Sequence, residues 1–114
     1  AGFQLAIHAI GDRGNRVALD AIEAAQGSDR SRRHRIEHAQ VIDPLDLERF
    51  TELGIVASMQ PTHATSDMRW AEQRVGKKRL AGAYAWKTLI EKGARLAFGS
   101  DAPVEDPNPL LGIY

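Results

Sequence analysis

The chain has 114 residues, 43% of them hydrophobic, enough for one packed core but well short of the roughly 250 residues of a complete eight-unit α/β barrel. Fifteen basic residues balance fifteen acidic ones, so no net field draws the chain toward nucleic acid or an anionic membrane, and a small, roughly neutral molecule is the better-matched partner. Cysteine is absent, which excludes disulfide staples and thiolate metal sites, leaves His and carboxylates as the strong ligands, and is compatible with a cytoplasmic location.

Phe3, Leu5 and Ile7 alternate with Gln4, Ala6 and His8, a period of two that predicts a strand ending at His8, before the turn IGDRGN. That turn matches neither the dinucleotide-binding glycine pattern nor the phosphate loop with its lysine, and it reads as a tight turn. Val17, Ala18, Ala21, Ile22 and Ala25 recur with helical spacing up to Gly27, a residue suited to a helix C-terminus. The hydrophilic stretch SDRSRRH follows. Its RSRRHR cluster lacks interleaved aromatics and reads as a solvated loop between helix and strand.

A second unit comprises the strand-like RIEHAQVI and then DPLDLERFTELG, with Asp43 as N-cap, Pro44 in the first turn and Gly54 as the stop. Leu47, Phe50 and Leu53 form its apolar stripe. A third strand, IVASMQP, ends at Pro61, after which a polar segment from Thr62 through Lys78 is longer than a typical α/β connection. The spacing predicts a helix over LAGAYAWKTLIEK, closing at Gly93 and packing Tyr84 and Trp86, while Trp70 is left as a candidate substrate contact. ARLAFGSDAPV then supplies a fourth strand with Asp101 at its C-terminal end, and Asn108 and Pro109 announce a further helix. Opening at Ala1 and stopping at Tyr114, the chain reads as an excised piece, a single α/β unit over residues 1–114.

Four strands alternating with three complete helices and the start of a fourth predict a parallel sheet, because parallel neighbours need a crossover between them. A doubly wound sheet and a segment of a barrel both satisfy this pattern. In a barrel the active groups sit at the C-terminal strand ends, where His8, His38 and Asp101 all fall. Imidazole and carboxylate are the usual nitrogen and oxygen ligands of catalytic Zn²⁺. Taken singly, a strand-end histidine is more often a hydrogen-bonded structural residue. Glu37, beside His38, is placed by alternation on the opposite strand face, paired outward with Arg35 or a helix residue.

Together, HAIGDRG, RIEHAQ, MQPTHATSD and FGSDAPVEDPNP resemble the matching segments of the amidohydrolase superfamily, in particular the family 3 branch that includes N-substituted formamide deformylases. The resemblance covers nearly the whole chain. It implies half of a TIM-type (β/α)8 barrel, units five to eight, in which His8, His38 and Asp101 bind or serve a divalent metal, Zn²⁺ by expectation. It also implies hydrolysis of a carbon–nitrogen bond in a small-molecule substrate by a metal-activated water, with Asp101 moving the proton. His63 is a candidate substrate contact or oxyanion stabiliser. The sequence departs from the family in lacking the first-strand His-x-His pair and the fourth-strand bridging ligand, so weak metal binding and little or no turnover are expected of the chain alone. The alternatives are a non-enzymatic α/β module with structural histidines and, behind it, a doubly wound nucleotide-binding domain.

No apolar run approaches the roughly 18 residues of a membrane span, and the opening lacks a signal peptide's basic start and cleavage site; neither a membrane nor a nucleic-acid partner is expected. A half-barrel would expose two sheet edges and its inner face, so a homodimer or higher oligomer is expected.

Overall fold

Short apolar-alternating runs form the strands, and each is followed by the chain's nearest helical stretch. In the computed structural model, which describes residues 2–113 and so leaves the expected cut ends at Ala1 and Tyr114 outside the description, the strands are β1 (Ala6–Ala9), β2 (Arg35–His38), β3 (Val56–Met59) and β4 (Arg95–Phe98). They pair in parallel in the order β1-β2-β3-β4. A doubly wound sheet reverses its strand order at a switch point, whereas a barrel segment keeps neighbours in chain order. The observed order is the barrel's, and the four-stranded α/β expectation holds.

The register fixes which residues share a face. Ile7, Ile36, Ala57 and Leu96 stand in one row, and His8, Glu37, Ser58 and Ala97 stand in the next row, on the opposite face. The first face carries the core: Ile36, Ala57 and Met59 pack with Leu19 and Ile22 of α1 (Asp12–Gln26), Leu47 and Phe50 of α2 (Leu47–Glu52), and Leu89 of the helix α5 (Trp86–Glu91). Burying each of the large side chains contributes about 1.5–3 kcal/mol. On the other face Ala6, His8 and Arg95 are exposed, and Arg35, Glu37, Val56 and Ser58 are half-buried.

Between β3 and β4 the chain makes an excursion through α3 (Pro61–Asp67), α4 (Ala71–Val75) and a 3-10 turn at Arg79–Gly82 before entering α5. The polar segment from Thr62 through Lys78 is therefore not a plain connection; two short helices occupy it, too poor in apolar residues for periodicity to betray them. The helix predicted over residues 80–92 is shorter, beginning only at Trp86, because Ala83 forms an antiparallel bridge with Val41 and Tyr84 adopts a left-handed φ of 49°. A tertiary pairing here overrides local helical spacing.

Other expectations shift in smaller ways. Residues 2–5 lie outside β1, whose pairing runs only against Arg35–His38. IGDRGN is not a free turn: Gly11 is the N-cap and Asp12 already opens α1. The buried stripe of α1 is Asn15, Ala18, Leu19 and Ile22, leaving Val17 exposed about 200° around from Leu19. In the arginine-rich loop His34 is buried and its Nδ1 accepts the Leu5 amide at 2.9 Å, while the neighbouring arginines stay at the surface. Gly54, with φ of 64°, ends the α2 segment as predicted, and Asp43 caps the preceding 3-10 turn by accepting from the Leu45 amide. Leu47, Phe50 and Leu53 are all buried. Asn108 likewise accepts from the Leu110 amide at the head of a 3-10 turn, Pro109–Gly112.

Candidate functional site

β1 delivers His8 to the exposed face of the sheet, at the C-terminal end of the strand. Strict alternation from buried Ile36 would turn His38 toward the helices. Instead His38 has φ of 73° and Ala39 of 44°, and the His38 ring meets that of His8 edge to face with centroids 4.5 Å apart. The left-handed region costs a residue with a Cβ about 1–3 kcal/mol, a strain that persists only where surrounding contacts hold it. Asp101, just beyond β4, also has a positive φ, 57°, and its Oδ2 lies 3.9 Å from His38 Nε2. That distance is too long for a hydrogen bond and short enough for an ion pair when the imidazole is charged.

Asn15 supplies the restraint beneath this rim. Fully buried on the first turn of α1, it directs its Nδ2 at the carbonyls of Ala9 (3.3 Å), Ile10 (3.2 Å), Gly11 (2.9 Å) and Val41 (3.1 Å). The Ala39 amide donates to Ala9 O at 3.0 Å and the Val41 amide to Ile10 O at 2.8 Å. The exits of β1 and β2 are thus tied to each other and to a helix, which fixes the backbone carrying both histidines. The sequence marks Asn15 only by its place in GDRGN, in the first turn of the helix that follows His8.

His63 arrives from α3. Its ring lies nearly parallel to that of His38, 9° between planes and 6.0 Å between centroids. His38 Nδ1 and His63 Nε2 are both buried without a hydrogen-bond partner, an arrangement that leaves two ring nitrogens without the bonds buried polar atoms normally make. The rim therefore gathers His8, His38, His63 and Asp101. The donor types suit a divalent cation, yet among the described residues no three His, Cys, Asp or Glu side chains close on a single ion. Glu37 is the β2 register partner of His8 and so shares the face of that histidine, contrary to the expectation that it points away from the ligand histidines; its carboxylate is held by Arg35 at 2.8 Å, as expected.

A second polar cluster adjoins the first. Asp67, buried at the end of α3, accepts through Oδ2 from both Gln40 Nε2 and the Tyr84 hydroxyl. Burial, and then the bond to Asp67, hold the Tyr84 hydroxyl well above the usual phenol range. Tyr84 and Trp86 pack edge to face, and Trp86 does the same against Phe98; Tyr84 nonetheless lies outside the helix assigned to it. Trp70 is partly exposed on the excursion.

The whole of residues 1–114 matches the sequence pattern of the Amidohydrolase family. The chain belongs to that family. It is 46% identical over 112 residues to YtcJ of Bacillus subtilis (strain 168), named as a candidate amidohydrolase, covering 98% of this chain and 21% of that protein. It is 47% identical over 116 residues to Protein LONG AFTER FAR-RED 3 of Arabidopsis thaliana, covering 99% of this chain and 20% of that one. A crystal structure of an uncharacterized metal-dependent hydrolase from Pyrococcus furiosus superposes with a TM-score of 0.86 at 41% identity, over 98% of this chain and 22% of that one. Its counterpart from Pyrococcus horikoshii OT3 gives 0.86 at 38%, with the same coverage. The chain spans about a fifth of the length of each of these relatives. Amidohydrolase membership and a divalent metal in the family's chemistry agree with the imidazole and carboxylate donors at the rim.

Proposed function

We propose that this chain is a portion of a metal-dependent hydrolase that cleaves carbon–nitrogen bonds, of amide or formamide type, in a small-molecule substrate. In this reading His8, His38 and Asp101 are ligands to a divalent ion, Zn²⁺ by the softness and number of the donors. The supporting observation is the convergence of three separate strand ends on one rim, with His38 and Asp101 held in left-handed backbone. When bound, the ion supplies Lewis acidity toward water and the substrate carbonyl. Asp101, with 41% of its side chain exposed, is free to take a proton from water on the open side of the rim and return it to the departing amine. His63, whose ring stacks on that of His38, is in this reading the residue that contacts the substrate carbonyl or developing oxyanion. The formamide-deformylase branch and a cytoplasmic location belong to the same reading.

Because the family's first-strand histidines do not fall in these residues, the chain alone holds the ion weakly and turns over little or no substrate. Calorimetric titration with Zn²⁺ tests this. The expected result is weak one-site binding that disappears in both His8→Ala and His38→Ala; binding indifferent to the two substitutions sinks the ligand assignment, and tight binding with robust amide hydrolysis sinks the expectation of an inert chain. The absence of a closed three-sided chelate among the described residues favours a second reading, a non-enzymatic module with structural histidines, which predicts no saturable Zn²⁺ binding at all.

A further inference from the structure

Seven residues make α3 too short to hold itself together in water, since helix nucleation is costly and isolated helices below about 12–15 residues are marginal. Something else must fix the element that presents His63. The chain's return toward α5 does so from one side: Gly82–Tyr84 pairs with Gln40–Ile42, with the Ile42 amide donating to Gly82 O at 2.9 Å and the Tyr84 amide donating to Gln40 O at 2.8 Å. That brings the Gln40 amide and the Tyr84 hydroxyl onto one carboxylate oxygen of Asp67. Asp67 is four residues after His63, so the two lie on the same face of α3. Gln40, in turn, is two residues beyond His38.

We propose that Asp67 is a positioning residue: clasped by Gln40 and Tyr84, it ties α3 to the exit of β2 and thereby sets the His63 ring parallel to that of His38. The proposal rests on the reading that His63 serves the chemistry of the rim. Removing the carboxylate cuts the tie between α3 and the exit of β2 and leaves the Gln40 amide and the Tyr84 hydroxyl without their acceptor, a cost that falls on the seat of the helix instead of on a surface contact. The contact between His8 and His38 depends on β1, β2 and Asn15 and not on α3. The two histidine pairs therefore report on different supports.

The test is aromatic proton–carbon NMR of the metal-free chain, following the ring signals of His8, His38 and His63 in Asp67→Ala, Asp67→Asn and Tyr84→Phe. Asp67→Ala is expected to abolish the through-space signals and mutual ring-current shifts between His38 and His63 while those between His8 and His38 stay. Asp67→Asn, whose amide oxygen still accepts a hydrogen bond, is expected to restore them, and Tyr84→Phe to weaken them. Persistence of the His38–His63 signals in Asp67→Ala overturns the proposal. So does joint loss of both pairs in Tyr84→Phe, because the network would then be holding the fold and not one ring. With no metal in the sample, a failed Zn²⁺ titration beside a positive NMR result removes the hydrolase reading and leaves the positioning intact.

Discussion

Gly82 lies so close to Ile42 that a Cβ on residue 82 would fall 1.6 Å from the Ile42 carbonyl oxygen. Backbone, not a flexible side chain, occupies that space, so the requirement for glycine is one of close approach. Gly82→Ala must push the returning segment off the exit of β2, breaking the Ile42–Gly82 hydrogen bond and the pairing that carries Tyr84. We expect a loss of about 3 kcal/mol of stability, at the upper end of overpacking costs. Urea unfolding checks it, and a midpoint equal to that of the parent chain would show that the segment docks differently.

Asn15 contributes through its partners more than through its own burial. Asn15→Ala leaves the buried Val41 carbonyl without its donor, a cost of about 1–3 kcal/mol, while the Ala9 and Ile10 carbonyls keep the Ala39 and Val41 amides. It also removes the tie that keeps the exits of β1 and β2 together. Amide hydrogen exchange is the sharper measurement: the amides of Ala39 and Val41, which donate to Ala9 and Ile10, should exchange faster than those in the middle of β2. Uniform acceleration along the strand would instead mean a general loss of stability.

Much of this architecture is local and therefore legible in the sequence. Asp43 as a cap, Gly54 as a stop and the stripe of Leu47, Phe50 and Leu53 each follow from chemistry within a few residues. The strand that carries His8 follows from a period-two run, and His38 and Asp101 from the family motifs, although β4 ends at Phe98 and Asp101 lies in the turn beyond it. What escaped depends on distant parts of the chain. The late start of α5 is set by Val41 and Gln40, more than forty positions earlier. α3 and α4 hold few buried apolar side chains, so no hydrophobic period marks them. The left-handed φ of His38 has no sequence signature either, because only the Asn15 clamp and the neighbouring strand make it tolerable.

Two opposite titrations bracket the stability of the chain. The Arg79 guanidinium, 2.7 Å from Asp12, holds that carboxyl below its usual 3.8, and Lys92 does the same to Glu48, whose usual value is 4.5. A depressed folded-state pKa gives stability that is complete above the unfolded value and is lost as pH falls through the folded one. Stability should therefore decline progressively from pH 4.5 downward. Tyr84 acts in the other direction: its folded pKa lies above the usual 10.0, so its contribution is complete below pH 10 and is lost as pH rises beyond it. Chemical denaturation across pH should show both limbs, with Arg79→Gln flattening the acid one and Tyr84→Phe the alkaline one. An alkaline limb unchanged in Tyr84→Phe would mean that other groups produce it.

Among the described residues β1 and β4 have one strand neighbour each, and the sheet face bearing Ala6, His8 and Arg95 is open to solvent. Unpaired strand edges recruit partners, and a closed two-fold arrangement is the commonest way for a single sequence to satisfy them. On its own the chain should accordingly associate with a second copy through these edges. Sedimentation velocity should show an apparent mass that rises with concentration. Ala6→Lys places a charge on an exposed position of β1 without touching the packed face, and it should shift the transition to higher concentration, since charged edge strands oppose pairing. A constant monomer mass across the range would mean that the edges are protected by their own shortness, four residues in each strand, and need no second chain.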